Sequence, residues 1–338
     1  MSAAPRRLVV LAFFAALLLL YAAFSPFSTA GMGYVGEEVK ACRQIREHFR
    51  SGTAIEWPRN GAMGLLVQCP FVTVGDVLGG ATQRAEDLAL SWQPMIATAA
   101  LVTILFVWAA RLAASREWGL TLSLAGGFAT LLWPYAYIGL ETTQSLFLLL
   151  AGFLALDRSA PRTWGRCLCF GVCAAFAIGV KSGGVLLVPA CAFLAWRFFR
   201  EPAARPAEGL RAKAVATLLL VVLLFAANAW VRGLAWVRFG GTAHFASLWL
   251  VRDPVSPLLN LLALLASPNK GLILYAPLTL LAVIALPRTS RAEPPVAVFA
   301  ALVLAGLVGG LCLLGMWSDE TWGPRYLHSA VAPLILCL

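Results

Sequence analysis

Apolar residues run through this chain in blocks of about 20, the length of helix that crosses a bilayer, separated by short polar connections. Strands of a membrane barrel would alternate apolar and polar positions, and these blocks do not. The pattern predicts an all-α, polytopic helical bundle. Its spans fall over 8–24, 92–112, 117–134, 137–156, 164–180, 184–199, 213–231, 271–287, 295–315 and from Ser329 onward, about ten in all. One long hydrophilic stretch, 25–90, interrupts them. The whole of 1–338 is expected to form a single transmembrane domain.

The last block, "SAVAPLILCL", offers about 15 Å of helix, half a bilayer. The expectation is that further spans or a domain follow it in a longer protein.

Composition agrees with the pattern. Sixty per cent of the 338 residues are hydrophobic and 12% charged, against about 45–50% and about 25% in soluble domains. Mean hydropathy is +0.81. The net charge of +10 is not the footprint of a nucleic-acid binder. Twelve of its 26 Lys and Arg residues lie in "RLAASRE", "DRSAPRTWGR", "RFFREPAARPAEGLRAK" and "PRTSRAEPP", alternate connections that the positive-inside rule puts in the cytoplasm. Arg6 and Arg7 precede an uncleaved first span and place the N-terminus there too. The long first loop, "KSGG", the stretch 232–270 and "WSDETWGPRY" are then outside the cell, and the protein is expected in the inner or plasma membrane.

The first outer loop contains an amphipathic helix in "GYVGEEVKACRQIREHFRSG". Val39, Cys42, Ile45 and Phe49 share one face, Lys40, Arg43, Arg46 and Arg50 another, and Gly52 is a natural stop. Such a helix lies in the membrane interface. Glu37 and Glu38 occupy its first turn, either as dipole-favoured acids or as a general base held at the surface. The following "WPRNGAMGLLVQCPFVTVGDVLGG" reads as a re-entrant or surface-lying hairpin over a cavity.

Cys167, Cys169 and Cys173 share an apolar helix with no nearby His and read as small buried hydrophobes rather than metal ligands. Cys42 and Cys69 share the outer loop and would pair only in an oxidising compartment.

Among the remaining polar groups, Glu141 sits one turn inside an apolar helix. A carboxylate there is costly and marks a functional site by default, or else snorkels to the interface. Lys181, at the outer end of its span, fits interface anchoring equally well. Lys270 begins another span where a phosphate would meet a cation and free amides. Arg325, in "WSDETWGPRYL", can bind two phosphate oxygens at once or pair with Asp319 or Glu320. No Walker A, GxSxG or HExxH motif is present. His48, His244 and His328 are far apart in sequence, which argues against a His-based metal site.

Five of these stretches, in order, resemble bacterial membrane glycosyltransferases of the GT-C class, in the protein-mannosyltransferase and lipid A aminoarabinose-transferase superfamily. They are the acidic pair after the first span, "WPYAYIGLETTQSLFLLLAGFLAL", "WVRFGG", "SPNKGLILYAPL" and "WSDETWGPRYLHSAVAPL". One departure is Glu37, where the family more often has Asp. The resemblance implies inverting transfer of a sugar from a polyprenyl-phosphate carrier to a lipid, glycan or protein acceptor outside the cell. It implies Glu37 or Glu38 as base, and Glu141, Lys181, Lys270, Arg325 and Tyr326 as substrate contacts. It implies no cofactor beyond a divalent cation, for which Asp319 and Glu320 are the candidates and which some relatives do without.

The competing class is a transporter or lipid flippase, or an inactive truncated relative. The halves of the chain share no motifs of the kind inverted-repeat transporters show. The large interfacial loop suits an enzyme better.

Overall fold

A computed structural model of the chain describes residues 5–24, 37–52, 55, 57, 61–79, 83–137, 139–157, 159–200, 209–238, 255–267, 271–313 and 327–338. It is an all-α membrane bundle. Its helices are α1 (Arg7–Phe24), α2 (Glu37–Ser51), α3 (Ala62–Gly79), α4 (Gln83–Leu112), α5 (Arg116–Phe128), α6 (Leu132–Tyr135), α7 (Gly139–Leu156) and α8 (Trp164–Gly179). A 3₁₀ segment (Ser182–Leu187) leads into α9 (Val188–Arg200) and α10 (Leu210–Arg238). Then come α11 (Ser256–Ala266), α12 (Leu272–Tyr275), α13 (Pro277–Ala292), α14 (Pro294–Cys312) and α15 (His328–Ile335).

Among the described residues, six helical segments are long and apolar enough to cross a membrane: Arg7–Phe24, Ala62–Gly79, Leu88–Leu112, Gly183–Arg200, Leu210–Gly233 and Pro294–Leu313. Leu140–Leu156, Trp164–Gly179 and Ser256–Ala266 are apolar but shorter. The expected ten spans are therefore not all continuous helices. The block 117–134 breaks at Ala129 into α5 and the single turn α6, and 271–287 breaks at Ala276 before Pro277. Proline lacks the donor and biases its predecessor out of the helical region.

The amphipathic α2 forms where its periodicity puts it, and Gly52 ends it at φ +69°, the left-handed stop that glycine tolerates best. The stretch after it differs from the expected hairpin. It is one helix, α3, with Pro70 inside it. An added Cβ on Gly179, at the end of α8, would meet Met63 in the first turn of α3. On Gly75, near the other end of α3, it would meet the backbone of Glu86 in the first turn of α4. Helix α3 thus runs back along the N-terminal part of α4 and does not thread the bundle from end to end. The stretch 232–270, expected outside the cell, also holds a helix, α11, tied to the end of α14 by Asn260 Nδ2 donating to the Cys312 carbonyl (3.0 Å).

The core joins α1, α4, α5, α7, α8, α9, α14 and α15, with Tyr21, Leu105, Leu148, Phe170, Phe299 and Leu334 all buried in it. Lipid tails are as apolar as leucine, so helices associate by close packing over small residues. Gly119 of α5 lies directly on the backbone of Ala110 in α4, and Gly306 of α14 on the carbonyl of Leu186. Cys167 and Cys173 are buried as expected, whereas Cys169 is exposed on the bundle surface.

The arginine-bearing connections gather at one end. Arg111 Nη1 pairs with Asp157 Oδ2 at 2.6 Å. The Arg166 guanidinium donates to the carbonyls of Leu154, Asp157 and Ala160, satisfying acceptors left over where α7 ends. Arg162 and Arg166 lie over the Phe198 ring at 5.3 and 5.9 Å, and Lys213 donates to the Arg162 carbonyl. Burial raises the Asp157 pKa, but hydrogen bonds from Ser159 and the charges of Arg111 and Arg166 outweigh it and hold the carboxyl below its ordinary 3.8.

Two outcomes are expected. Gly119→Leu should cost about 1–3 kcal/mol of stability through overpacking, read as heat resistance of the detergent-extracted protein. Gly165→Leu, with open space around its Cβ position, should not show that loss. The folded pKa of Asp157 lies below its unfolded value, so its contribution is complete above pH 3.8 and fades as pH falls through the lower folded value. Asp157→Asn should be less stable than the parent at pH 7, and the difference should shrink as denaturation is measured at pH values falling below 3.8.

Candidate active site

After Gly139 and Leu140, helix α7 carries five polar residues, Glu141-Thr142-Thr143-Gln144-Ser145, before eleven positions of almost unbroken hydrocarbon. All five are buried. Polar side chains in such surroundings need partners, and this run finds them on several different elements. Glu141 forms an ion pair with Lys181 Nζ, from the turn between α8 and the 3₁₀ segment. Thr143 Oγ1 accepts from Gln93 Nε2 of α4. Gln144 Nε2 donates to the Ala177 carbonyl of α8 (2.9 Å). Ser145 Oγ donates to the Glu141 carbonyl (2.9 Å) and lies 2.7 Å from His328 Nδ1 and 3.0 Å from Ser329 Oγ, both on α15.

The helices around this run end at the same level. Asn228 of α10 joins two of them: its Oδ1 accepts from Met63 N (3.0 Å), and its Nδ2 donates to the Gly179 carbonyl (3.1 Å). Arg232 Nη2 donates to that same carbonyl (2.9 Å). Gly61 adopts φ +83°, and a Cβ on it would fall 2.4 Å from Asn228 Oδ1, so position and backbone both call for glycine. Tyr21, Phe128, Trp133 and Tyr137 form an aromatic cluster beside the start of α7, with Tyr21 stacked on Phe128 and tilted against Trp133 at 5.5 Å between ring centres.

The amphipathic helix is clamped to this end. Cys42 and Cys69 form a disulfide with Cα atoms 5.6 Å apart, which decides the pairing the sequence leaves open. Arg43 pairs with Glu86 of α4, and Ala41 and Cys42 pack with Leu65, Val72 and Val231. Val231 is next to Arg232, which bonds the end of α8. Helix α2 and the Glu141–Lys181 pair therefore share one end of the bundle, opposite the arginine-bearing connections.

Of the candidates, the structure brings Glu141 and Lys181 into direct contact. Glu37 and Glu38 form the backbone of the first turn of α2, and their side chains lie outside the described residues. Lys270, Asp319, Glu320, Arg325 and Tyr326 also lie outside them. Among the described residues, no three His, Cys, Asp or Glu side chains converge in a group that could hold a metal ion.

Sequence reasoning missed Gln93, Thr143, Gln144, Ser145, Asn228, Arg232 and His328. The compact polar run "ETTQS" was the available signal. Its partners lie 33 to 184 residues away, and one hydrophobic pattern looks much like another across such a gap.

No family model matches the sequence, and no curated protein matches it. Solved structures do match the fold. AglB, an oligosaccharyltransferase from Archaeoglobus fulgidus determined with an inhibitory peptide and a dolichol-phosphate, superposes with a TM-score of 0.56 at 10% identity, over 97% of this chain and 50% of its own. ArnT from Cupriavidus metallidurans, bound to undecaprenyl phosphate, gives a TM-score of 0.49 at 17% identity, over 98% and 60%. The chain spans half the length of AglB. At 10% identity the likeness is one of fold: this chain and AglB share a membrane-embedded helical architecture.

A buried ion pair is weak evidence for stability, yet breaking one strands a charge. Glu141→Gln and Lys181→Met should each cost about 3 kcal/mol. The double variant should cost less than the sum of the two, with a coupling of about 0.5–3 kcal/mol, measured by denaturant titration in detergent. Additive losses would mean the two charges do not support each other.

Proposed function

We propose that the chain is a glycosyltransferase that moves a sugar from a polyprenyl-phosphate carrier to an acceptor hydroxyl on the extracytoplasmic face of the membrane. The observation that carries this reading is the pairing of Glu141 with Lys181 at the same end of the bundle as the acidic first turn of α2. The fold shared with AglB, which was determined with a dolichol-phosphate, supports it. So does the order of the five sequence stretches that resemble GT-C enzymes. The arginine-bearing connections lie at the opposite end, which the positive-inside rule assigns to the cytoplasm. A Cys42–Cys69 disulfide suits an oxidising outer compartment.

In the mechanism, the carrier's phosphate lies at the outer interface with Arg325 and Lys270 as counter-charges, and Tyr326 borders the donor. Glu141, held by Lys181, accepts hydrogen bonds from sugar hydroxyls. Glu37 or Glu38 takes the proton of the acceptor hydroxyl as its oxygen attacks the anomeric carbon from the face opposite the phosphate. The new carbon–oxygen bond forms as the bond to the phosphate oxygen breaks, and that oxygen keeps the electron pair. One displacement inverts the anomeric configuration. The cations stabilise charge growing on the leaving phosphate. No covalent enzyme intermediate is needed, because a phosphate is a good leaving group.

The test is transfer from radiolabelled polyprenyl-phosphate sugars by the purified protein in liposomes. Loss of the true base should cut the rate about 10²–10⁴-fold, so one of Glu37→Gln and Glu38→Gln should do so. Full transfer by both would remove the base assignment. Arg325→Ala should impair donor use far more than extracted yield. Movement of the labelled carrier between leaflets with no covalent product would select a transporter instead.

A further inference from the structure

The polar run of α7 contains one residue with no part in the proposed chemistry whose hydrogen bonds can be fully accounted for. Ser145 has a single hydroxyl hydrogen and two lone pairs. The hydrogen goes to the Glu141 carbonyl one turn earlier (2.9 Å). With the hydrogen assigned to that carbonyl, which can only accept, His328 Nδ1 at 2.7 Å and Ser329 Oγ at 3.0 Å both donate to Ser145 Oγ. This assignment puts a hydrogen on Nδ1 of His328. Two donors from the first turn of α15 thus converge on one oxygen that lies one turn after Glu141 and bonds its carbonyl.

His328 is 1% exposed and lies within electrostatic range of both Glu141 and Lys181. Its neighbours Leu327, Ala330 and Val331 are wholly buried, so this end of α15 has little freedom to shift. A one-residue rotation of α7 would break the Ser145 junction and swing Glu141 away from Lys181 together, because residues i and i+4 share a helix face.

We propose that His328 is a positioning residue: through Nδ1–H to Ser145 it locks the first turn of α7 against α15 and so holds the Glu141 carboxylate on Lys181. This rests on the reading of Glu141 as a sugar-contacting group. Asparagine supports the same role only if its side-chain N–H reaches the place of the imidazole Nδ1–H. Alanine removes the donor, and glutamine puts it one bond further out.

The primary measurement needs no substrate. Full-length protein in detergent is treated with a water-soluble amine-acylating reagent, and modification of Lys181 is followed by peptide mass spectrometry. In His328→Ala and His328→Gln, Lys181 should react severalfold faster, with the reactivity of Lys213 unchanged. In His328→Asn it should react at the parent rate. A folded His328→Ala whose Lys181 reacts at the parent rate overturns the proposal, as does an Asn variant that behaves like Ala. If His328→Ala fails to fold, Ser145→Ala removes the same junction from the α7 side and must show the same exposure of Lys181.

The second measurement is transfer from the polyprenyl-phosphate sugar. His328→Ala should lower kcat about 10²-fold, the cost of an ångström of misplacement, with KM little changed and Asn restoring most of it. A parent protein that transfers no sugar removes the proposed function but leaves the Lys181 result to decide the positioning role.

Discussion

A carboxylate and an ammonium taken out of water each lose several kcal/mol of solvation, and only a partner at contact distance makes up for it. Glu141 and Lys181 answer that requirement for each other, and the surrounding architecture follows from the need to keep them together. Lys181 hangs on the turn where α8 ends, so that turn must stay at the level of the first turn of α7. Gln144 pins the two helices by bonding the Ala177 carbonyl, and Asn228 and Arg232 hold the Gly179 carbonyl from the α10 side. These groups are neutral or half-buried, and each closes a backbone acceptor that hydrocarbon would leave open. The charged pair is thus framed by hydrogen bonds directed at peptide groups, which do not titrate.

The opposite end solves a different problem. Its charges sit beside water, where a single ion pair contributes little, so it relies on one guanidinium with many acceptors. Arg166 serves the last carbonyls of α7 and the connection that follows, while its positive charge helps keep Asp157 ionised beside Arg111. Between the two ends, packing includes glycine laid against backbone, such as Gly306 on the Leu186 carbonyl. With no water to expel, van der Waals fit decides helix order there. A bundle built this way is rigid in the middle and polar at both ends, with the two polar ends unlike each other.

Much of this was legible in the sequence and some was not, for physical reasons. Blocks of hydrocarbon declare membrane helices because the bilayer tests length and polarity together. The alternation of arginine-rich connections declares which helix ends lie together, and the described connections gather accordingly. Helix α2 was readable from its 3.6-residue period. Helix α3 was not, since Gly64, Pro70 and Gly75 look like breaks when counted alone; packing against α4 overrides their propensity. Glu141 stood out because an acid in hydrocarbon is rare. His328 did not, because one histidine reveals nothing until the serine it serves, 183 residues earlier in the chain, is placed beside it.

The division between the buried pair and helix α2 bears on the proposed catalysis, in which an acid of α2 is the base. A base that accepts a proton from an incoming hydroxyl must meet an acceptor arriving from water, so it cannot be buried as Glu141 is. It must nonetheless return to the same place at every turnover. Helix α2 meets both demands: its apolar face packs on Leu65, Val72 and Val231, while the Cys42–Cys69 bridge and the Arg43–Glu86 pair fix its position at two neighbouring points. Cys42 is five residues from Glu37, so the covalent anchor lies little more than one helical turn from the acidic pair. Reduction of that bridge would leave the helix held by its apolar face and one ion pair. The backbone of its first turn would then no longer be held at a fixed distance from the Glu141–Lys181 pair.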